Sequence, residues 1–203
     1  GWYRSNRRAR RRRFGRLFRS PTLFEDMVKT ITGCNVSWLQ TRRMNRLLCL
    51  HFGGGGFPRP EDLAGQDPER VKGRARVGYR AERIVRLARD VAEGRLDLAR
   101  FERRGWAAAD LVRELRTIHG IGAYAAANVA QLLGHYDQLA IDTETYRHFC
   151  RVHGHERPTH AQALDPLIRS HYDRYAPHQF LAYWFELWES YEAYAGPSVD
   201  WEG

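Results

Sequence analysis

The chain has 203 residues, enough to bury a substantial core in one large domain or in two small lobes. Its formal charge of +9 and isoelectric point near 9.9 favour a polyanionic partner, either nucleic acid or an acidic membrane face. No apolar run approaches the roughly 18 to 20 residues of a membrane span, and no apolar signal core follows the N-terminal arginines, so a soluble intracellular protein is expected.

Residues 1–20 are dominated by the run Arg7 to Arg13, broken only by Ala9, with Arg16 and Arg19 following. Like charges at this density repel one another, which predicts a solvated tail or frayed helix; a nuclear address or extra phosphate contacts are the functional alternatives. Pro21 opens the ordered part. Leu23, Phe24, Met27, Val28 and Ile31 then fall on one helical face, and Thr32 to Trp38 form a polar corner before Met44, Leu47, Leu48 and Leu50 resume the helical pattern. At that corner Asn35 is either a helix cap or an amide offered to a nucleic acid. Gly53 to Gly56 with Pro58 predicts a loop, and Pro60-Glu61-Asp62-Leu63 the first turn of a short helix.

Helices are predicted over 80–92, 107–118, 123–134, 143–153 and 159–172, with Arg83, Arg86 and Arg89 as a solvated stripe. The segment Gln179 to Trp188 is too aromatic for an ordinary amphipathic helix, so it is buried on most sides or lines an aromatic pocket. Strand alternation never persists, so the fold class is all-α. Cys34, Cys49 and Cys150 lack a C-x-x-C pair and read as buried free thiols. Among the nine histidines the tightest pair, His153 and His155, sits in a Gly-containing loop, and no structural metal is expected.

One stretch organises the rest. In Leu115-Arg116-Thr117-Ile118-His119-Gly120-Ile121-Gly122-Ala123-Tyr124, two glycines bracket one apolar residue between two helical segments, with Ala140-Ile141-Asp142-Thr143-Glu144 following some twenty residues later. Gly120 and Gly122 both permit positive φ, and amide N–H groups at the second helix's start can face an anion, a phosphate grip.

This pattern resembles the helix-hairpin-helix and Gly/Pro-rich loop with trailing aspartate of the HhH-GPD DNA glycosylases. The likeness covers nearly all of residues 21–190 and extends to a plant branch of that superfamily. It implies a two-lobed helical fold with a cleft between the lobes. The matching organisation is a basic segment over 1–20, a helical domain of two subdomains over 21–195 and a C-terminal tail over 196–203. By the same resemblance His119, Gly120, Ile121, Gly122 and Ala123 contact DNA, Asn35 fills the gap left by an extruded base, and Tyr124, Asn128, Tyr183 and Trp184 line the base pocket. Main-chain carbonyls of Arg116, Ile118 and Ile121 would hold a monovalent cation, Na⁺ or K⁺. The cysteine cluster of the iron-sulfur branch is missing, so no such cluster and no other cofactor is expected.

The chemistry asks for a carboxylate in its own right, because breaking an N-glycosidic bond builds oxocarbenium character that a carboxylate stabilises while orienting water. Asp142 is the expected catalytic residue. Local sequence equally allows it to be the N-cap of the next helix, and both roles are compatible. Glu144 is the rival carboxylate. Tyr124 stands where bifunctional members carry a lysine that forms a Schiff base, which implies a monofunctional, water-using glycosylase of base excision repair acting on a modified purine. The alternatives are a non-catalytic helix-hairpin-helix protein that binds damaged or abasic DNA, and a bifunctional lyase using Lys29 or Lys72. The expected partner is double-stranded DNA containing a damaged base, with no membrane association, a monomeric state, and a nuclear location in a eukaryote or a nucleoid one otherwise. The β-rich N-terminal lobe of the oxoguanine and alkylbase branches has no counterpart in these residues.

Overall fold

The computed structural model describes residues 2–197; the expected tail lies outside the described residues from 198 onward. Two compact units divide the chain, one central (residues 18–133) and one formed by residues 2–17 together with 134–197. Among the described residues both are helical, with no strand and one isolated bridge between Gly54 and Gly56. No helix is long and apolar enough to cross a membrane.

The N-terminal segment forms two short helices, α1 (Trp2–Ser5) and α2 (Arg7–Arg11). Of the two readings, solvated tail or frayed helix, the segment is helical but anchored. Trp2 and Ala9 are buried, and Phe14 and Leu17 pack against the same core. Arg8 and Arg12 pair with Glu189 and Glu192 at 2.6 and 2.5 Å. A count of like charges misses this, because the apolar residues that anchor the segment are spaced between the arginines and their acidic partners lie 181 and 180 residues away.

In the central unit, α3 (Leu23–Gly33) is capped by Thr22 and buries the apolar face read from its sequence. Ser37 and Gln40 form a reciprocal capping box that starts α4 (Trp38–Phe52). The four glycines make a tight turn, since a Cβ on Gly53 would stand 2.0 Å from the Gly56 carbonyl oxygen. Then follow α5 (Pro60–Ala64), with Pro60 in its first turn as expected, α6 (Pro68–Ala75), α7 (Arg80–Ala92), α8 (Ala99–Glu102), α9 (Ala108–Leu115) and α10 (Ala123–Leu132). Periodicity does not reveal α6, because Val71 and Ala75 are its buried residues and charge surrounds them. Leu23, Met27, Ile31, Ile84, Leu87, Leu111, Leu115 and Val129 belong to one continuous core. A core of this kind fixes helix positions that propensity alone leaves marginal.

The second unit is built on α11 (Thr143–His153), a 3₁₀ turn at Ala161–Leu164, α12 (Asp165–Asp173) and the aromatic α13 (Gln179–Ala195). Phe180, Leu181, Tyr183, Phe185 and Leu187 of α13 are buried with Phe149, Ile168 and Tyr172, while Trp184 stacks on Phe180 and packs beside Phe14. Aromatic residues therefore occupy most sides of α13, because residues 2–17 cover one face and α11 and α12 another. A polar cluster sits inside this unit around Glu186. Burial pushes its carboxyl up, but hydrogen bonds from His148, Tyr172 and His153 outweigh that and bring it down to about 2. All three cysteines are free and half-buried, and burial raises the thiols of Cys34 and Cys49.

Candidate functional site

The hairpin forms within the central unit where α9 ends and α10 begins. Ile118 N–H donates to Leu115 O at 3.2 Å and Ile121 N–H to Ile118 O at 3.0 Å, closing the turn, while Ile118 and Ile121 bury their side chains. The two glycines do different work. Gly120 has φ of +86°, and a Cβ there would meet the Arg83 side chain at 2.7 Å. Gly122 is extended, with φ of −83°, and nothing lies within 4 Å of its missing Cβ, so only Gly120 uses the positive φ that both permit. It is the N-cap of α10 and gives that helix no side-chain cap, so the helix starts with backbone donors and no side-chain acceptor from its cap residue. His119, Gly122 and Ala123 are exposed, so the start of α10 faces outward. Of the three carbonyls expected to hold a monovalent ion, that of Ile118 also accepts the turn hydrogen bond, and Arg116 is the C-cap of α9.

The corner between α3 and α4 is organised by Arg80, which sequence reading left without a role. Its buried guanidinium donates to Ile31 O at 3.2 Å, to Val77 O at 3.4 Å and to Cys34 O. These bonds satisfy carbonyls at the end of α3 and hold the next residue, Asn35, exposed in the left-handed region with φ of 53°. Asn35 caps neither helix: Cys34 is the C-cap of α3 and Ser37 the N-cap of α4. Arg80 and Arg83 both lie over the ring of exposed Tyr79, at 4.5 and 4.8 Å from its centroid. Tyr79 thus ties the Asn35 corner, through Arg80, to the Gly120 turn, through Arg83. Arg83 is half-buried here, whereas Arg86 and Arg89 are solvated as expected. Trp38 and Leu39, each 74% exposed, open α4 three and four residues after Asn35. Their spacing on a helix hid them, because sequence alone assigns apolar residues to a core.

Asn128 lies on α10 with its side-chain amide 3.3 Å from the Thr30 hydroxyl, whose proton goes to the nearer Asp26 carbonyl at 2.8 Å. Tyr124 is half-buried in the first turn of the same helix.

Asp142, in the second unit, is the N-cap of α11 and half-buried. Its Oδ1 accepts from Thr145 N–H and from the Thr145 hydroxyl, each at 2.9 Å, and its own N–H donates to Thr145 Oγ1 at 3.2 Å. That hydroxyl also lies 3.1 Å from the Tyr183 hydroxyl oxygen. Having a single proton, which the carboxylate attracts most strongly, it accepts from Tyr183 while donating to Asp142. Tyr183 therefore braces the carboxylate from beneath, buried at 7% exposure. Trp184, its neighbour, is half-buried against Phe14 and Phe180. Asp142 Oδ2 makes no hydrogen bond among the described residues. Glu144 is committed elsewhere, accepting from Tyr191 at 2.6 Å and pairing with Arg147.

No protein-family model matches the chain, and no curated protein matches it. Its fold has clear structural neighbours. A structure of MBOgg1 in complex with low affinity DNA ligand is 22% identical with TM-score 0.71, covering 85% of this chain and 61% of that one. A DNA-3-methyladenine glycosidase from Bacillus halodurans is 25% identical with TM-score 0.67, covering 89% and 80%. The Schizosaccharomyces pombe 3-methyladenine DNA glycosylase in complex with abasic DNA is 18% identical with TM-score 0.71, covering 91% and 88%. The chain thus spans about three fifths of MBOgg1 and most of the other two. With its hairpin, its trailing aspartate and these neighbours, the chain has the all-helical HhH-GPD fold of the DNA glycosylases.

Proposed function

We propose that this protein is a monofunctional DNA glycosylase of base excision repair, which hydrolyses the N-glycosidic bond of a damaged purine with Asp142 as the catalytic carboxylate. The observation that carries this reading is the split duty of Asp142. Oδ1 is locked by Thr145, which orients the group, and Oδ2 keeps its lone pairs for chemistry. As the bond to the base lengthens, positive charge grows on the sugar. Oδ2 stabilises that charge and takes a proton from the water that adds to it. The hairpin's exposed amides at Gly122 and Ala123 bind a DNA phosphate, and the Ile118 and Ile121 carbonyls with that of Arg116 would hold a monovalent cation there. Asn35, with Trp38 and Leu39 beside it, enters the duplex as the base leaves, and in the central unit Tyr124 and Asn128 contact the extruded base.

Tyr124 supports water rather than an amine as nucleophile, since it stands at the hairpin position where a Schiff-base lysine would be. The remaining lysines are engaged: Lys29 with Glu25 at 2.5 Å and Lys72 with Glu69 at 3.0 Å. The experiment is excision on a panel of duplexes carrying alkylated and oxidised purines, with products read before and after hot alkali. Abasic sites without strand breaks, lost in Asp142→Asn, are expected. A borohydride-trapped covalent complex would overturn the monofunctional assignment. A second reading, a DNA-binding protein without catalysis, draws on the fact that Asp142 already has a structural task as a cap; salt-sensitive binding to abasic DNA with no product on any lesion would establish it.

A further inference from the structure

The histidines of the second unit gather around one carboxylate. His153 ends α11, His171 lies on α12 and Glu186 on α13, and one ligand atom from each falls within 4.8 Å of the others. The rings of His153 and His171 are 4.1 Å apart at their centroids. Glu186 Oε1 receives His148 Nε2 at 2.8 Å, His153 Nε2 at 2.9 Å and Tyr172 O–H at 2.8 Å, whereas Oε2 takes none among the described residues.

Three donors on one carboxylate oxygen exceed its two lone pairs. Two of them are fixed. Tyr172 is buried, and its hydroxyl donates. His148 is fully buried and its Nδ1 has no partner; a proton there would be an orphan donor in the core, so the proton sits on Nε2 and is given to Glu186. His153 is the excess donor. A cation shared by the neutral His153 ring and the carboxylate removes the conflict, because it replaces a proton with a charge that both groups can bind. His171 is suited to join it. Its Nε2 accepts from the Arg174 guanidinium at 3.2 Å, so this ring already turns a lone pair toward a cation, and Arg174 is exposed and able to swing aside.

We propose that His153, His171 and Glu186 form a binding site for a late first-row divalent metal ion of the zinc class, pinning the end of α11 to α12 and α13. Two imidazole nitrogens and one carboxylate oxygen suit such an ion, while magnesium and calcium prefer oxygen-only shells. Metal–ligand bonds of about 2.0 to 2.2 Å place tetrahedral ligand atoms about 3.3 to 3.6 Å apart, a separation these half-buried side chains reach by small rotations. His148 and Tyr172 supply the outer hydrogen bonds that orient a ligating carboxylate. The site lies within one unit and does not depend on the glycosylase reading. Sequence hides it, because the ligands are 18 and 15 residues apart on three helices and match no compact motif.

The test uses the full chain without a histidine tag, treated with chelator and titrated with Zn²⁺ alone by calorimetry near neutral pH, with Co²⁺ followed by its visible spectrum. One ion per chain is expected, with dissociation below about 10 µM, and an intense four- or five-coordinate Co²⁺ band. His153→Ala and His171→Ala should each weaken binding by about tenfold or more, while His51→Ala, an exposed histidine of the central unit, should not. Circular dichroism of the metal-free variants verifies that they are folded, and in the parent protein Zn²⁺ should raise the unfolding midpoint and chelator reverse it. Absence of stoichiometric binding by the parent protein, or parent-like affinity in either folded variant, overturns the site.

Discussion

Replacing Asp142 by asparagine and by alanine separates its two duties. Asparagine keeps an oxygen that can accept from Thr145 N–H at the 2.9 Å distance seen for Oδ1, and asparagine and aspartate are about equally good N-caps. What it loses is charge at the start of α11, about 0.3 to 1 kcal/mol of interaction with the helix dipole. Alanine forfeits both cap bonds from Thr145 and leaves that buried residue to satisfy itself, which adds about 1 kcal/mol. Stability should therefore fall in the order parent, Asn, Ala, with the Asn variant down by less than about 1 kcal/mol in urea unfolding. Excision should respond differently. Either variant lacks the negative charge that faces the oxocarbenium ion, worth about 3 to 4 kcal/mol at a partly desolvated site, so single-turnover excision should drop by about 10² to 10³ in both. Equal stability losses in the two variants would refute the cap geometry. Activity that tracked stability, falling far more in Ala than in Asn, would refute the catalytic charge.

The two hairpin glycines should part company. Gly120→Ala forces a side chain into positive φ and against Arg83, costing about 1 to 2 kcal/mol in urea unfolding. Gly122→Ser fills open space and adds a favourable N-cap, so stability should hold or rise by up to about 1 kcal/mol while affinity for duplex DNA falls; unchanged affinity would remove α10's start from the DNA interface. Arg80→Met leaves the Ile31 and Cys34 carbonyls without their side-chain donor at the end of α3 and should cost on the order of 3 kcal/mol, an expectation that a loss below about 1 kcal/mol would contradict. Alkali should unfold the protein through its tyrosines. Burial, with the carboxylates of Asp165 and Glu144, raises the Tyr146 and Tyr191 hydroxyls from 10.0 to about 12, so the unfolded chain ionises first. Their contribution is complete below pH 10 and is lost as pH rises toward 12. The urea midpoint should decline over that window and less steeply in Tyr191→Phe; a flat profile refutes the linkage.

Local chemistry made much of this protein legible in sequence. The helix periods of Leu23 to Ile31 and of Ile84 to Val91, the bracketing glycines and the run from Thr143 to His153 each encode their element within one or two turns. That locality is why the hairpin and the cap at Asp142 can be read without coordinates. Tertiary structure decided the rest. The arginine-rich start became part of a folded unit because Glu189 and Glu192, far along the chain, neutralise two of its charges and its few apolar residues find a core. Arg80 acquired its role from carbonyls 46 and 49 residues earlier, and Tyr183 braces Asp142 through Thr145, 38 residues before it. The histidines around Glu186 converge from three helices. A sequence pattern reports the face a helix will bury, since that repeats every few residues; which distant side chain meets it is set by packing, as the Tyr183 hydroxyl against Thr145 beneath Asp142 shows.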